Sequence, residues 1–351
     1  MARTFDLLTL ALVPALVPRA VWALLARADL VEVLAHPEEH GDLLPRAALE
    51  SLRTGATQRR AEEEVRRARA LGIRIVGRGE TDYPTWLGWT FDPPPVLFVR
   101  GRLVAGEGER AVSVVGARAA TAVGKAFARE LAAGLAGAGL AVVSGLARGI
   151  DAAAHEGVLD ARGRTVAVLG SGLDRLYPPE NAALAGLIAR EGAVVSEFPL
   201  GTGPWKANFP RRNRVIAGWG RGVVVVEAGA RSGALGTARL ALDEGREVMA
   251  VPGHPSFPGA AGTNALLRDG AAVVRDARDV LDELRIEAPR SATSKAPEDD
   301  LLARLPRGVP MGVDEIAARC GQAVPELLAR LSALELASAV RRLPGALFVR
   351  S

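Results

Sequence analysis

The sequence predicts an α/β protein. A doubly wound, Rossmann-like parallel sheet forms the centre, with a small helical domain before it and a winged-helix-like domain after it. Two observations carry this. Between residues 81 and 284, seven short runs of β-formers alternate with helical segments, the order of a parallel sheet with right-handed crossovers. The runs are continuously apolar rather than alternating, as in strands covered on both faces.

Residues 1–80 read as a helical module of the SAM or helix-hairpin-helix kind. Apolar residues recur at helical spacing in Phe5–Leu12, Ala20–Ala26 and Leu30–Leu34, with breaks at Pro14, Pro18 and Pro37. Thr57–Ala70 is an amphipathic helix rich in Arg and Glu. Such a module fits core packing, a dimer contact or a touch on a nucleic-acid backbone. The uncharged apolar run Leu7–Pro18 is shorter than the roughly 20 residues a bilayer span needs. With Asp6 before it and prolines within it, a buried helical pair is expected rather than a secretory signal, and a cytoplasmic location with it.

In 81–284 the expected strands are Ala111–Val115, Leu140–Val143, Thr165–Leu169, Ala193–Ser196, Val223–Val226, Glu247–Val251 and Ala271–Val274. Residues 285–297 (RIEAPRSATSKAP) are polar, hold Pro289 and Pro297, and read as a linker. Residues 298–351 then give helices Glu298–Leu305, Val313–Cys320 and Pro325–Ala337, and a hairpin Val340–Arg350 turning at Pro344-Gly345. Three helices and a hairpin are the order of a winged helix. The third helix exposes Glu326 and Glu335 beside Arg330 and Ser332. Two acids make it a poor reader of a major groove, so protein contact or plain structure is expected there.

Composition narrows the function. Hydrophobic residues make up 49% and charged residues 24%, enough for a real core. The net charge of +4 permits a nucleic-acid partner without demanding one. The one cysteine, Cys320, excludes a disulfide framework and a cysteine-rich zinc site. His36, His40, His155 and His254 are scattered, so no metal is expected.

The chemistry is expected where parallel strands end, because ligands bind outside the carboxyl edge of such sheets. Four strands end in glycine-rich turns that open helices: Gly116-Ala117-Arg118, Ser144-Gly145, Gly170-Ser171-Gly172, and Gly229 with Ser232-Gly233. Glycine allows close backbone approach, and a helix N-terminus offers free N–H groups to an anion, phosphate above all. Neither GxGxxG nor GxxxxGK[ST] is present, so no dinucleotide or P-loop cofactor is expected. After the fourth strand comes the densest basic segment, Trp205–Arg214 (WKANFPRRNR), with Lys206, Arg211, Arg212 and Arg214 and no acid. Cations neutralise phosphates and aromatic rings stack on unpaired bases, so single-stranded nucleic acid is the expected ligand. No catalytic set stands out. Asp151 and His155 share a helix face at i and i+4, but Asp151 as a helix cap and His155 as a packing residue is the simpler account. Glu227 lacks a nucleophile beside it.

The runs VVGAR (114–118), SGLARGIDAAAH (144–155), AVLGSGLDRLYPPEN (167–181), SEFPLGTGPWKANFPRRNRVIAG (196–218), EAGARSGALGTA (227–238), GREVMAVPG (245–253) and GTNALLRDGA (262–271), preceded by YPTWL (83–87) and DPPPVLFVRG (92–101), resemble the DNA-processing protein A (DprA/Smf) family. The resemblance implies a cytoplasmic homodimer, not an enzyme. It implies that the protein binds and protects single-stranded DNA entering during natural transformation and loads the RecA recombinase onto it. Carried over, the DNA contacts are Arg118 after the first strand and Lys206 and Phe209 of the KxxFPxRNR segment. Arg211 and Arg214 match that segment's arginines, with Arg212 an additional cation. Ser144-Gly145 and Ser232-Gly233 line the same edge. Ala117 stands where relatives often carry serine.

Two rivals remain. The GALGTA turn is similar to that of nucleotide phosphoribohydrolases, but those need an acid just after the threonine, and Thr237 is followed by Ala238, Arg239 and Leu240. A transcription regulator acting through residues 298–351 would need a better reading helix.

Overall fold

A computed structural model describes residues 2–287, 300–306, 309–336, 339–343, 345 and 347–350. The chain forms two units, Met1–Glu287 and Ala288–Ser351.

The first unit is built on nine strands: β1 (Arg74–Gly77), β2 (Val96–Gly101), β3 (Ala111–Val115), β4 (Ala141–Ser144), β5 (Thr165–Val168), β6 (Ala193–Ser196), β7 (Gly222–Val225), β8 (Glu247–Ala250) and β9 (Ala272–Val273). Their order is β1-β2-β6-β5-β4-β3-β7-β8-β9. The seven expected strands are β3 to β9, all parallel to their neighbours within that set. β2 runs antiparallel to β6, and β1 antiparallel to β2. The direction of winding reverses between β3 and β7, the switch point where such sheets open a crevice.

Side chains alternate across the sheet, so each strand serves two cores. Val112, Val114 and Val142 meet Leu131, Leu135, Ile150 and Val158 on one face. Ala111, Val115, Val143 and Val225 meet Val215, Ile216, Trp219 and Ala238 on the other. Helix Ala122–Gly137 is capped by Thr121, whose hydroxyl accepts from the Gly124 N–H at 2.9 Å. Helix Gly233–Asp243 is capped by Ser232 in the same way, through the Ala234 N–H at 3.3 Å; such caps satisfy donors that a helix start leaves free.

The boundary expected at residue 80 differs from the structure. β1 precedes it and completes the sheet edge, and Leu7 and Leu8 of helix Ala2–Ala11 share a core with Ile73, Val96 and Phe98. A four-residue strand with Arg at its start gave no pattern of its own inside a helical stretch. The apolar run near the N-terminus is that helix and Pro18–Leu25, with Leu10, Val13, Leu16 and Val21 buried together. Among the described residues, no helix is long and apolar enough to cross a membrane.

The second unit packs helices Asp300–Arg304, Val313–Cys320 and Val324–Leu336 against a small sheet. Its strands are β10 (Met311–Gly312), β11 (Val340–Leu343) and β12 (Leu347–Arg350), ordered β10-β12-β11. Ile316, Leu327, Leu331, Leu334 and Phe348 form its core. Val313–Cys320 ends where expected, on Gly321 in the left-handed region at φ 65°. Glu326, Ser332 and Glu335 are exposed on the third helix. Most of the expected linker (residues 288–297), Glu298 and Pro344 lie outside the described residues.

Candidate nucleic-acid interface

A cleft of about 640 Å³ opens at the switch point. Its walls are the turn after β3 (Gly116, Ala117, Arg118), the turn after β7 (Gly229 to Gly233) and one face of helix Asn208–Gly218. The basic segment runs into this helix from Asn208. Phe209, Arg212, Asn213 and Ile216 line the cleft, spaced as one helix stripe. Arg211 and Arg214 lie off that stripe and point away. Arg214 pairs with Glu197 and Asp92, and Arg211 pairs with Glu197 at 3.2 Å while its guanidinium stacks on Phe198. These two arginines fasten the helix to the body of the domain and do not reach the cleft, which corrects the expectation for both. In an FPxRNR segment, Arg212 in fact takes the first arginine position and Arg211 the variable one.

Arg212 is not a surface cation either. It is buried, and its Nη1 donates to the Gly145 carbonyl at 2.7 Å and the Val168 carbonyl at 2.6 Å, while Nε donates to Asn213 Oδ1 at 3.2 Å. Burial, with Arg118 nearby, lowers its pKa to about 10, against the pull of Asp151; it stays charged at neutral pH and forms a positive floor beneath the cleft. Burial raises the Asp151 carboxyl, opposed first by Arg212. Asp151 Oδ2 accepts from the Gly145 N–H at 3.1 Å and the Ala147 N–H at 3.4 Å. The Ser144 hydroxyl is fully buried and donates to the Val114 carbonyl at 2.6 Å. A Cβ on Gly145 would overlap the Arg212 guanidinium. Ser144 and Gly145 thus build the floor from below, and their N–H and O–H groups are spent inside the protein rather than offered at the edge.

The accessible groups are fewer. Arg118 is exposed, and its guanidinium lies 5.0 Å from the centre of the Phe209 ring. Ser232 and the exposed Gly233 present a helix N-terminus to the cleft. Lys206 is exposed in the turn three residues before Phe209, outside the lining. Arg231, not singled out from the sequence, also lines the cleft and is exposed. Its place directly before Ser232-Gly233 in the turn after β7 was the available signal. Among the described residues, Arg118, Lys206 and Arg231 make no ion pair.

The other titratable groups are occupied. Glu227 is buried and accepts from the Thr121 N–H at 3.1 Å and the Thr121 hydroxyl at 2.7 Å, tying the end of β7 to the helix after β3. The Thr165 hydroxyl donates to the Val142 carbonyl at 2.7 Å, so the 2.7 Å contact from His155 Nδ1 must be a donation to that same oxygen. His155 is neutral: burial, then Arg212, lowers its pKa to about 3. An unfolded chain takes this proton near pH 6.5, so below that the unfolded state gains protons that the folded state refuses. Stability from this group is complete above pH 6.5 and is lost on acidification, by about 2 kcal/mol at pH 5. Melting wild type and His155→Gln at neutral pH and near pH 5 checks this; the wild type should lose more between the two, and equal losses would refute it.

Comparison with known proteins matches this architecture. Residues 74–285 match the DNA recombination-mediator protein A family, and 286–346 the DprA winged helix domain. Protein Smf of Escherichia coli is 41% identical over 276 residues, covering 75% of this chain and 74% of that protein. The DNA processing protein DprA of Bacillus subtilis is 41% identical over 216 residues, covering 62% and 73%. The X-ray structure of DNA processing protein A from Streptococcus pneumoniae superposes with a TM-score of 0.63 at 32% identity, covering 80% of this chain and 97% of that one. The structure from Helicobacter pylori, described for its single-stranded DNA binding mode, gives 0.54 at 27% identity, covering 61% and 95%. The family match, the long identities and the shared fold agree: this chain belongs to the DNA recombination-mediator protein A family.

Proposed function

We propose that this protein binds single-stranded DNA at the carboxyl edge of its parallel sheet, protects strands entering the cytoplasm during natural transformation, and loads RecA onto them as a homodimer. The observation that carries the binding is the cleft itself. Among the described residues, Arg118 and Arg231 at the opening and Lys206 in the turn before Phe209 are exposed and make no ion pair, and the opening is floored by a buried guanidinium and flanked by the Phe209 ring. Free cations attract phosphates, and rings accept unpaired bases. The Helicobacter pylori relative, known for its single-stranded DNA binding mode, supports the same ligand; the RecA and dimer roles rest on family membership. The protein acts by binding rather than catalysis: Asp151, His155 and Glu227 hold the scaffold together, and none is free to move a proton for a substrate.

Fluorescence anisotropy of a labelled single strand against duplex, over a salt series, tests the binding. Tight, salt-sensitive binding that prefers the single strand is expected, and Lys206→Ala should flatten the slope of log K against log salt by about 0.7. Preference for duplex, or a slope untouched by Lys206→Ala, would overturn the reading. The RecA arm is the onset of filament growth with and without the protein. Release of adenine from AMP would restore the enzyme reading.

A further inference from the structure

We propose that Tyr177 is a stacking surface for an unpaired nucleobase beside the cleft, a contact that rests on the single-strand reading above. Phe209 is the ring the sequence points to, yet its surroundings are already filled. The Arg118 guanidinium lies over it at 5.0 Å, and a Cβ on Gly170 would come within 3.0 Å of its ring. Phe209 is half-buried and holds Arg118 in place. The next ring outward is Tyr177, on the segment between β5 and helix Ala182–Glu191. Its centroid is 5.9 Å from that of Phe209, with the planes inclined at 56°. It is 38% exposed, and among the described residues its hydroxyl makes no hydrogen bond.

A ring whose hydroxyl is not tied down and whose face is partly open can take a stacking partner. The setting indicates which. Arg175, on the same segment, is exposed and makes no ion pair among the described residues. Arg118 lies over Phe209, the ring that Tyr177 packs against. With Arg175 two residues away in the chain and Arg118 over the neighbouring Phe209 ring, Tyr177 offers a π-face to a base where cations are at hand for the adjoining phosphates. Every base has such a face, so this contact adds affinity without sequence preference.

The test compares a labelled single-stranded oligothymidylate with an abasic phosphodiester of equal length, by anisotropy. Tyr177→Phe should bind oligothymidylate as the wild type does. Tyr177→Ala and Tyr177→Leu should bind it roughly 5- to 150-fold more weakly, the range for one lost base stack, with an unchanged salt slope. Tyr177→Leu keeps apolar bulk, so its loss is not one of folding, and melting each variant checks that. On the abasic strand all three should equal the wild type. Wild-type affinity of Tyr177→Leu and Tyr177→Ala for oligothymidylate, while Lys206→Ala is weakened, would overturn the stacking role alone. An equal loss on the abasic strand would also overturn it. If the wild type binds neither strand, the single-strand reading itself fails.

Discussion

Arg212→Met is expected to lose about 3–5 kcal/mol of stability, the usual cost of removing one partner from a buried charge network, and to melt roughly 10 °C lower. The side chain is buried, 4% exposed. Its removal leaves the carbonyls of Gly145 and Val168 without their donor and leaves the buried Asp151 carboxylate without the cation that opposes its desolvation. Those carbonyls belong to the ends of adjacent strands β4 and β5, so the loss loosens the floor of the cleft. Arg211→Ala is the control one residue away. Arg211 is 43% exposed at the side chain and shares Glu197 with Arg214, so a change within about 1 kcal/mol is expected, as for surface ion pairs. Thermal melts of the two variants decide it. Equal melting points would show that Arg212 is not the structural cation described here.

Arg118→Ala is expected to weaken single-strand binding by about tenfold to a hundredfold, the range for a lost charge-assisted hydrogen bond, while melting with the wild type. Arg118 has no acidic partner among the described residues and carries no part of the core; what fixes it is the Phe209 ring. Arg118→Lys should recover only part of the loss, since a lysine brings the charge without the planar fork that lies on a ring and grips a phosphate by two hydrogen bonds. Anisotropy at one salt concentration separates the three proteins. Full recovery by lysine would mean that charge alone matters and that the cation–π contact is incidental.

The sequence made the parallel sheet legible because β3 to β8 are almost wholly buried and their runs are mostly apolar, broken only by residues such as Ser113 and Glu247. β1 and β2 were hidden for physical reasons. β1 is short and half-exposed, and β2 follows three prolines that read as a turn more strongly than Val96 to Val99 read as a strand. The cleft's edge was legible from its glycine turns; the roles within it were not. Four cations in ten residues look alike in sequence. Only the helix from Asn208 sorts them, sending Arg212 inward and Arg211 and Arg214 toward Glu197. Tyr177 passed unnoticed because its aromatic partner is more than thirty residues away in the chain, a distance no local pattern spans.

The antiparallel pairing of β2 with β6 has a consequence for how the chain is made. Gly101 pairs with Ala193, some ninety residues later. A ribosome adding roughly 5–20 residues per second leaves the free edge of β2 waiting about 5–20 s for its neighbour, with apolar Val96 and Phe98 on the face that the helix covers. Helix Ala2–Ala11 is already synthesised by then and packs against β1 and β2. The N-terminal helices thus serve the nascent chain as a built-in cover for one face of a sheet whose other half has not yet been translated.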